Sequence, residues 1–345
     1  ALIAALIILR CLLSWGKGAT EPKICPVNSF YQRILLPASY SLVFLLGLAL
    51  NGALLWCLRF RARRACSTVI YMSNLAVADL FYVLALPPLI ISNAMGDMWP
   101  FGNIICKTVR FFFLGNLHCS VMFLTCVSVH RFLGVCHPIV SVRLRTKKLA
   151  LYTSGSVWIL ANAEVIPTLV FTHTGVINNM TVCFEMTNPG GFKAYFPYGL
   201  FLSLAFLIQF LVTVTCYCAM IRTLGVANCI ANVRAARMRK RSLHTLLVVS
   251  LVFVVCFVPY HIARTVYLFV RVYRPLNCSL LNVAMICYKV WKPVVSFNCC
   301  ANPLLYFCGS GRHRQRLRAW LWRRKRRVHP SVCPVDIDST KRSAD

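Results

Sequence analysis

The chain has 345 residues, 59% of them hydrophobic, with 38 lysines and arginines against 8 aspartates and glutamates and a formal charge of +30. Only 13% are charged, about half the share of a soluble domain, and a mean hydropathy of +0.67 excludes a disordered chain, which pairs high charge with low hydrophobicity. The basic residues lie in short clusters between apolar stretches rather than on one solvated face, which argues against nucleic acid as a partner and for an integral membrane protein.

Residues 1–18 open with an apolar run, broken by Arg10, that is too short for a span and has the character of a leader or a remnant outside the fold. Residues 19–35 form an amino-terminal segment, 36–308 the membrane bundle, and 309–345 a basic tail. A helix crosses the hydrocarbon core in about 20 apolar residues. Seven stretches meet that length: Leu36–Leu58, Thr68–Ile91, Ile105–Val135, Leu149–Thr172, Tyr198–Leu224, Leu243–Val270 and Asn282–Cys308. They lack the ten-residue alternation of a barrel, and backbone in lipid must satisfy its own hydrogen bonds. The expected fold is all-α, a seven-transmembrane helix bundle. After it, Gly311–Trp322 interleaves basic residues with Leu317, Trp320, Leu321 and Trp322, an amphipathic helix suited to the inner leaflet. Cys333 is a candidate for lipidation, and Ser331, Ser339, Thr340 and Ser343 for phosphorylation.

Arg59–Arg64, Arg143–Lys148, Arg234–Arg241 and Arg312–Arg327 crowd one set of loops and the tail, whereas the opposite loops hold only Lys193, Arg271 and Arg274. Basic residues near span ends stay cytoplasmic, so the amino terminus is expected outside and the carboxyl terminus inside. Four of the 19 cysteines, Cys25, Cys106, Cys183 and Cys278, fall on the exterior side, where oxidation favours pairing; spacing alone allows three connectivities. The sequons at Asn179 and Asn277 lie on the same side, with Asn179 the better glycosylation candidate because Cys278 occupies the second one.

The spans carry, in order, Leu–Asn51–Gly; Asn74–Leu–Ala–Val–Ala–Asp79; Ser128–Val–His130–Arg131–Phe132; Trp158; Cys256–Phe–Val–Pro259–Tyr–His261; and Asn302–Pro303–Leu–Leu–Tyr306. This series resembles the rhodopsin-like G-protein-coupled receptors over roughly residues 25 to 325. Trp99–Pro–Phe, Val109–Arg110–Phe, His261–Ile–Ala–Arg264 and Tyr288–Lys289–Val–Trp–Lys292–Pro are, more narrowly, similar to the metabotropic purinergic receptors for extracellular nucleotides, and within these to the subgroup answering uridine or adenine di- and triphosphates. The resemblance implies Cys106–Cys183 and Cys25–Cys278 disulfides, no enzymatic activity, and coupling to a heterotrimeric G protein, mainly toward phospholipase C and calcium, with arrestin as a further partner. It also implies a coupling set of His130, Arg131, Tyr217, Pro259, Asn302, Pro303 and Tyr306.

Charge supplies an independent argument. Ionisable residues inside spans are costly and mark function. Arg110 lies one turn below Cys106; His261 and Arg264, and Lys289 and Lys292, are each three apart and share a helix face. With Glu185 and Glu164 the nearest acids by sequence, Arg110, Arg264, Lys289 and Lys292 are expected to leave a large uncompensated positive charge, suited to a polyphosphate. Phe113, Tyr267 and Tyr288 are candidates to pack on a base or ribose, and His261 to donate to phosphate or sugar. A lysophospholipid is the alternative ligand, although one phosphate needs fewer cations. A secondary transporter would be expected to show two related halves, and an enzyme paired catalytic groups; neither pattern is present in the sequence.

No resident cofactor is expected beyond a sodium ion: Asp79 with Asn51, Ser120, Asn298 and Asn302 resembles the sodium-linked network of the wider class, and oxygen-rich clusters suit hard cations. Four positions depart from the resemblance. His130 replaces the acid before Arg131, so the usual acid–arginine pair cannot lock the resting state; Asn302 replaces Asp; Gln209 replaces a span-five proline, putting a bulge there in doubt; and Leu114 replaces a pocket Tyr.

Overall fold

The computed structural model describes residues 30–59, 67–177, 179–227, 233–274 and 277–309. The expected leader over 1–18, Cys25, the amphipathic helix over Gly311–Trp322, Cys333, the tail phosphorylation candidates and the side chain of Tyr306 lie outside the described residues. Among the described residues, seven helical stretches are long and apolar enough to cross a bilayer: Arg33–Arg59, Ser67–Ala94, Gly102–Cys136, Lys147–Phe171, Phe192–Thr223, Val254–Tyr273 and Cys278–Leu304.

The first span is α1 (Phe30–Arg59). The second, expected as one helix, is two, α2 (Ser67–Leu84) and α3 (Leu86–Ala94). Pro87 and Pro88 have no N–H, and their rings oppose the carbonyls one turn back, so the helix stops and restarts with proline in its first turn. The third is α4 (Gly102–Cys136), followed by the short α5 (Pro138–Leu144). The fourth is α6 (Lys147–Val165), capped by the Thr146 hydroxyl accepting from Leu149 N, and it ends before Pro167. A single turn, α7 (Thr168–Phe171), and a hairpin of β1 (Thr174–Ile177) with antiparallel β2 (Met180–Cys183) lead to the fifth span. This is α8 (Phe192–Ala227), which begins six residues before the expected Tyr198 and carries Pro197 inside it, at the loss of one helical bond. It runs unbroken through Gln209. The sixth span belongs to α9 (Val233–Tyr273). The seventh is divided at Phe297 into α10 (Cys278–Ser296) and α11 (Asn298–Gly309).

α4 is the axis: it packs against α2, α8 and α6, and α9 packs against α8 and α10. Large apolar side chains such as Leu45, Phe81, Ile159 and Ile208 face outward, a surface that water would penalise and lipid accepts. Gly47 brings α1 against α2, since a Cβ there would lie 2.7 Å from Val83 Cγ2. Polar bonds cross the interior: Trp158 Nε1 donates to Asn74 Oδ1 (3.0 Å), Tyr82 OH to Ser296 Oγ (2.7 Å) and Ser128 Oγ to Tyr217 OH (3.0 Å). Pro303 leaves the carbonyl of Cys299 without its helical donor, and Asn51 Nδ2 supplies one from α1 at 2.9 Å. Proline and asparagine here form one device across two helices.

Candidate ligand site

The hairpin is tied to the bundle at three points. Cys183 forms a disulfide with Cys106 near the start of α4, with Cα atoms 5.7 Å apart. Trp99 N donates to Thr181 O (2.7 Å), and Thr174 N to Asn103 Oδ1 (3.0 Å). Asn179 sits exposed at the turn with φ +59°, a left-handed value that Asn tolerates. Cys278 is disulfide-bonded, while Cys25 lies outside the described residues.

This tether carries Glu185, two residues beyond Cys183, over a cavity lined by Arg110, Phe113, Leu114, Glu185, Met186, Tyr195, Tyr260, Arg264, Tyr288 and Lys292. Arg110 Nη1 donates to Glu185 Oε1 at 3.2 Å and Nη2 to the Cys183 carbonyl at 3.2 Å. Its Nε is buried with no partner among the described residues. The Lys292 ammonium donates to the same Glu185 oxygen and lies 5.1 Å from the Phe113 ring centroid. Arg264, 2% exposed, donates to Tyr195 OH at 2.8 Å and to the Gly199 carbonyl at 3.3 Å, so neutral oxygens hold it. An aromatic series closes the walls: Phe113 is 6.2 Å from Tyr260, Tyr260 5.8 Å from Tyr288, and Tyr288 stacks on Tyr267 at 5.6 Å.

The expectation of a large uncompensated charge is therefore corrected. Glu185 is shared by Arg110 and Lys292, and Asp97 Oδ2 lies 3.7 Å from Lys289 Nζ. On the cavity wall three cations face one carboxylate, so the excess is smaller than the sequence suggested but survives. Glu164 does not reach the cations; its carboxylate lies 2.8 Å from His118 Nδ1. Of the expected ligand residues, Arg110, Phe113, Glu185, Arg264, Tyr288 and Lys292 line the cavity. His261, Tyr267 and Lys289 do not. His261 is buried, stacked on Phe206 at 3.8 Å, with neither ring nitrogen hydrogen-bonded among the described residues; Tyr267 backs Tyr288, and Lys289 turns to Asp97. Tyr195 and Tyr260 were not expected. Tyr195 belongs to the turn of α8 that precedes the expected start, whereas Tyr260 was legible as the residue four before Arg264 on the same face.

Deeper in the bundle Asp79 accepts from Asn116 Nδ2 (2.7 Å), Ser120 Oγ (3.5 Å) and Asn302 Nδ2 (3.0 Å). The side-chain oxygens of Asn51, Asn298 and Asn302 are buried with no donor among the described residues. A buried carboxylate bonded to Asn302, whose own amide oxygen has no donor among the described residues, offers hard oxygen ligands that fit sodium; no three of His, Cys, Asp and Glu gather as a metal site among the described residues. Asn116 is the member the sequence reading missed. At the far end of α4, Arg131 is exposed and His130 buried.

Residues 50–306 match the model of the 7 transmembrane receptor (rhodopsin family). The chain is 41% identical over 314 residues to purinoceptor 4 of Homo sapiens, covering 90% of this chain and 85% of that one. It is 38% identical over 296 residues to purinoceptor 3 of Gallus gallus and, over the same length, 38% identical to purinoceptor 6 of Rattus norvegicus, each comparison covering 85% of this chain and 90% of the relative. The chain is thus a receptor rather than an enzyme, a member of the rhodopsin family of seven-transmembrane receptors and, within it, of the purinoceptors.

Proposed function

We propose that the cavity receives an extracellular nucleoside di- or triphosphate of uridine or adenine, and that its occupancy drives exchange on a heterotrimeric G protein of the phospholipase C branch. The observation that carries this reading is the convergence of Arg110, Arg264 and Lys292 on one cavity with Glu185 as the one acid in its wall. Guanidinium forks grip phosphate oxygens bidentately and the ammonium acts as a point charge. Glu185 holds Arg110 and Lys292 as a phosphate would, so an arriving polyphosphate must displace it. Phe113, Tyr260 and Tyr288 offer ring faces to a base or ribose. In this reading the hairpin end faces outside and the basic loops inside, with glycosylation at Asn179.

A ligand acts only through its differential affinity for two conformations. A polyphosphate held by Arg110, Arg264 and Lys292 links α4, α9 and α10 and draws their outer ends together. α9 would pivot near Pro259, whose missing N–H leaves a carbonyl one turn back without its helical donor. Its inner end would swing outward beside Arg131 to admit the G protein, and arrestin would use the same face. Asp79, Ser120, Asn298 and Asn302 would hold sodium in the resting state, its charge balancing the buried carboxylate.

Calcium release in cells expressing the chain, measured across uridine and adenine mono-, di- and triphosphates and a lysophospholipid, tests the ligand class. Responses confined to di- and triphosphates support the reading, and a response to the lysophospholipid alone rejects it.

A further inference from the structure

With His130 standing where an acid would pair with the following arginine, something else must restrain that end of α4. The structure offers a partner from outside the helix. Arg145 Nε donates to His130 Nε2 at 3.2 Å. A guanidinium has donors and no acceptor, so Nε2 carries the lone pair and the imidazole is neutral with its proton on Nδ1. That nitrogen lies 3.4 Å from Thr68 Oγ1 on α2, which can accept from it. The Tyr71 ring meets the imidazole edge-on at 6.0 Å. His130 is thus held from three sides, by Arg145, by Thr68 and Tyr71 of α2, and by its own helix, where Arg131 adds a second guanidinium next in the chain. A protonated imidazole beside two arginines could no longer accept from Arg145.

Two further observations show that Arg145 is placed rather than merely near. The Ser67 hydroxyl lies 3.0 Å from the Arg145 carbonyl and 3.3 Å from that of Thr146, fixing the exit of α5 to the start of α2. Gly134, one turn beyond His130, leaves the space that the guanidinium crosses: a Cβ there would come 2.8 Å from Arg145 Nη1. The backbone agrees, with Ser141 N donating to His137 O and Arg145 N to Ser141 O, both at 2.9 Å. α5 is folded back on α4, while Ile139 and Val142 point away, 84% and 80% exposed.

We propose that Arg145 and neutral His130 form a latch that holds α5 against α4 and α2 in the resting receptor, doing the restraining work of the absent acid–arginine pair, and that Arg145 is therefore a positioning residue for G-protein coupling. Release of the latch frees α5 to meet the partner beside the exposed Arg131. The inference rests on coupling to a G protein but not on the identity of the ligand.

The test is nucleotide exchange on added G protein by the full chain in lipid nanodiscs, without and with agonist. His130→Leu and Arg145→Leu are each expected to raise ligand-independent exchange about threefold or more. The double variant should rise no further than either single, because one contact is removed in each case. His130→Gln, whose amide places an acceptor near the Nε2 position, should recover the restraint at least in part. Backbone hydrogen exchange across residues 138–146 is the second readout, with faster exchange expected in both single variants even where G-protein activation is impaired. Unchanged basal exchange and unchanged protection in Arg145→Leu, or additive effects in the double variant, would overturn the latch. Failure of the unsubstituted chain to activate any G protein would instead reject the coupling reading on which it stands.

Discussion

Glu185 sets the balance of the cavity. Its carboxylate is the shared acceptor of Arg110 and Lys292, and it is delivered by the hairpin that the Cys106–Cys183 disulfide pins to α4. If it competes with phosphate, removing its charge spares the ligand one charge-assisted bond to displace, about 1.5 kcal/mol. Glu185→Gln should then lower the half-maximal nucleotide concentration about tenfold in calcium assays at matched surface abundance. A loss of potency would mean that the carboxylate helps the ligand. The same residue explains what the sequence could not disclose. Arg110, Lys289 and Lys292 were legible because an ionisable group in an apolar span is conspicuous, whereas their counter-charges come from Glu185 and Asp97, whose approach is set by a disulfide-pinned hairpin and by the turn after α3. The position of His261 was misread for a related reason. A three-residue spacing puts it on the face of Arg264, but Phe206 of α8 covers its ring.

Among the elements, span number and order were legible from apolar length, while breaks inside spans were not, because a hydropathy run does not register a missing N–H. Pro87 and Pro88 mark the first break. The seventh span shows what such a break is used for: Pro303 frees the Cys299 carbonyl and Asn51 of α1 fills it. Asn51→Ala should leave that carbonyl unsatisfied at a cost of about 1–3 kcal/mol and lower the thermal midpoint of the purified receptor. In a Pro303→Ala background, which returns an N–H to the helix, the same substitution should cost clearly less. Equal losses in both backgrounds would show that Asn51 acts through another contact. The early start of α8 escaped notice because Lys193 and Pro197 interrupt the hydropathy there, and Tyr195, which holds Arg264, was missed with it.

At the level of the whole molecule, two polar centres lie along the same apolar bundle: a cationic cavity beneath the hairpin, and a cluster of amides and a hydroxyl around the Asp79 carboxylate. If the second takes sodium in the resting state, sodium and agonist oppose each other by linkage. Raising sodium at constant ionic strength should weaken agonist binding to the unsubstituted receptor and leave Asp79→Asn unaffected. Equal responses in the two would remove sodium from the scheme. The first centre bears the functional conclusion, and direct binding of uridine and adenine nucleotides to the purified receptor, compared with the parent nucleosides and with an Arg110→Ala, Arg264→Ala variant, tests it most directly. Tri- and diphosphates should bind at least a hundredfold more tightly than nucleosides, with affinity falling as salt rises, and the double variant should lose that preference while keeping its thermal stability in nanodiscs. Equal affinity for nucleoside and triphosphate, or unchanged triphosphate binding in the double variant, would contradict a cavity built to hold phosphate.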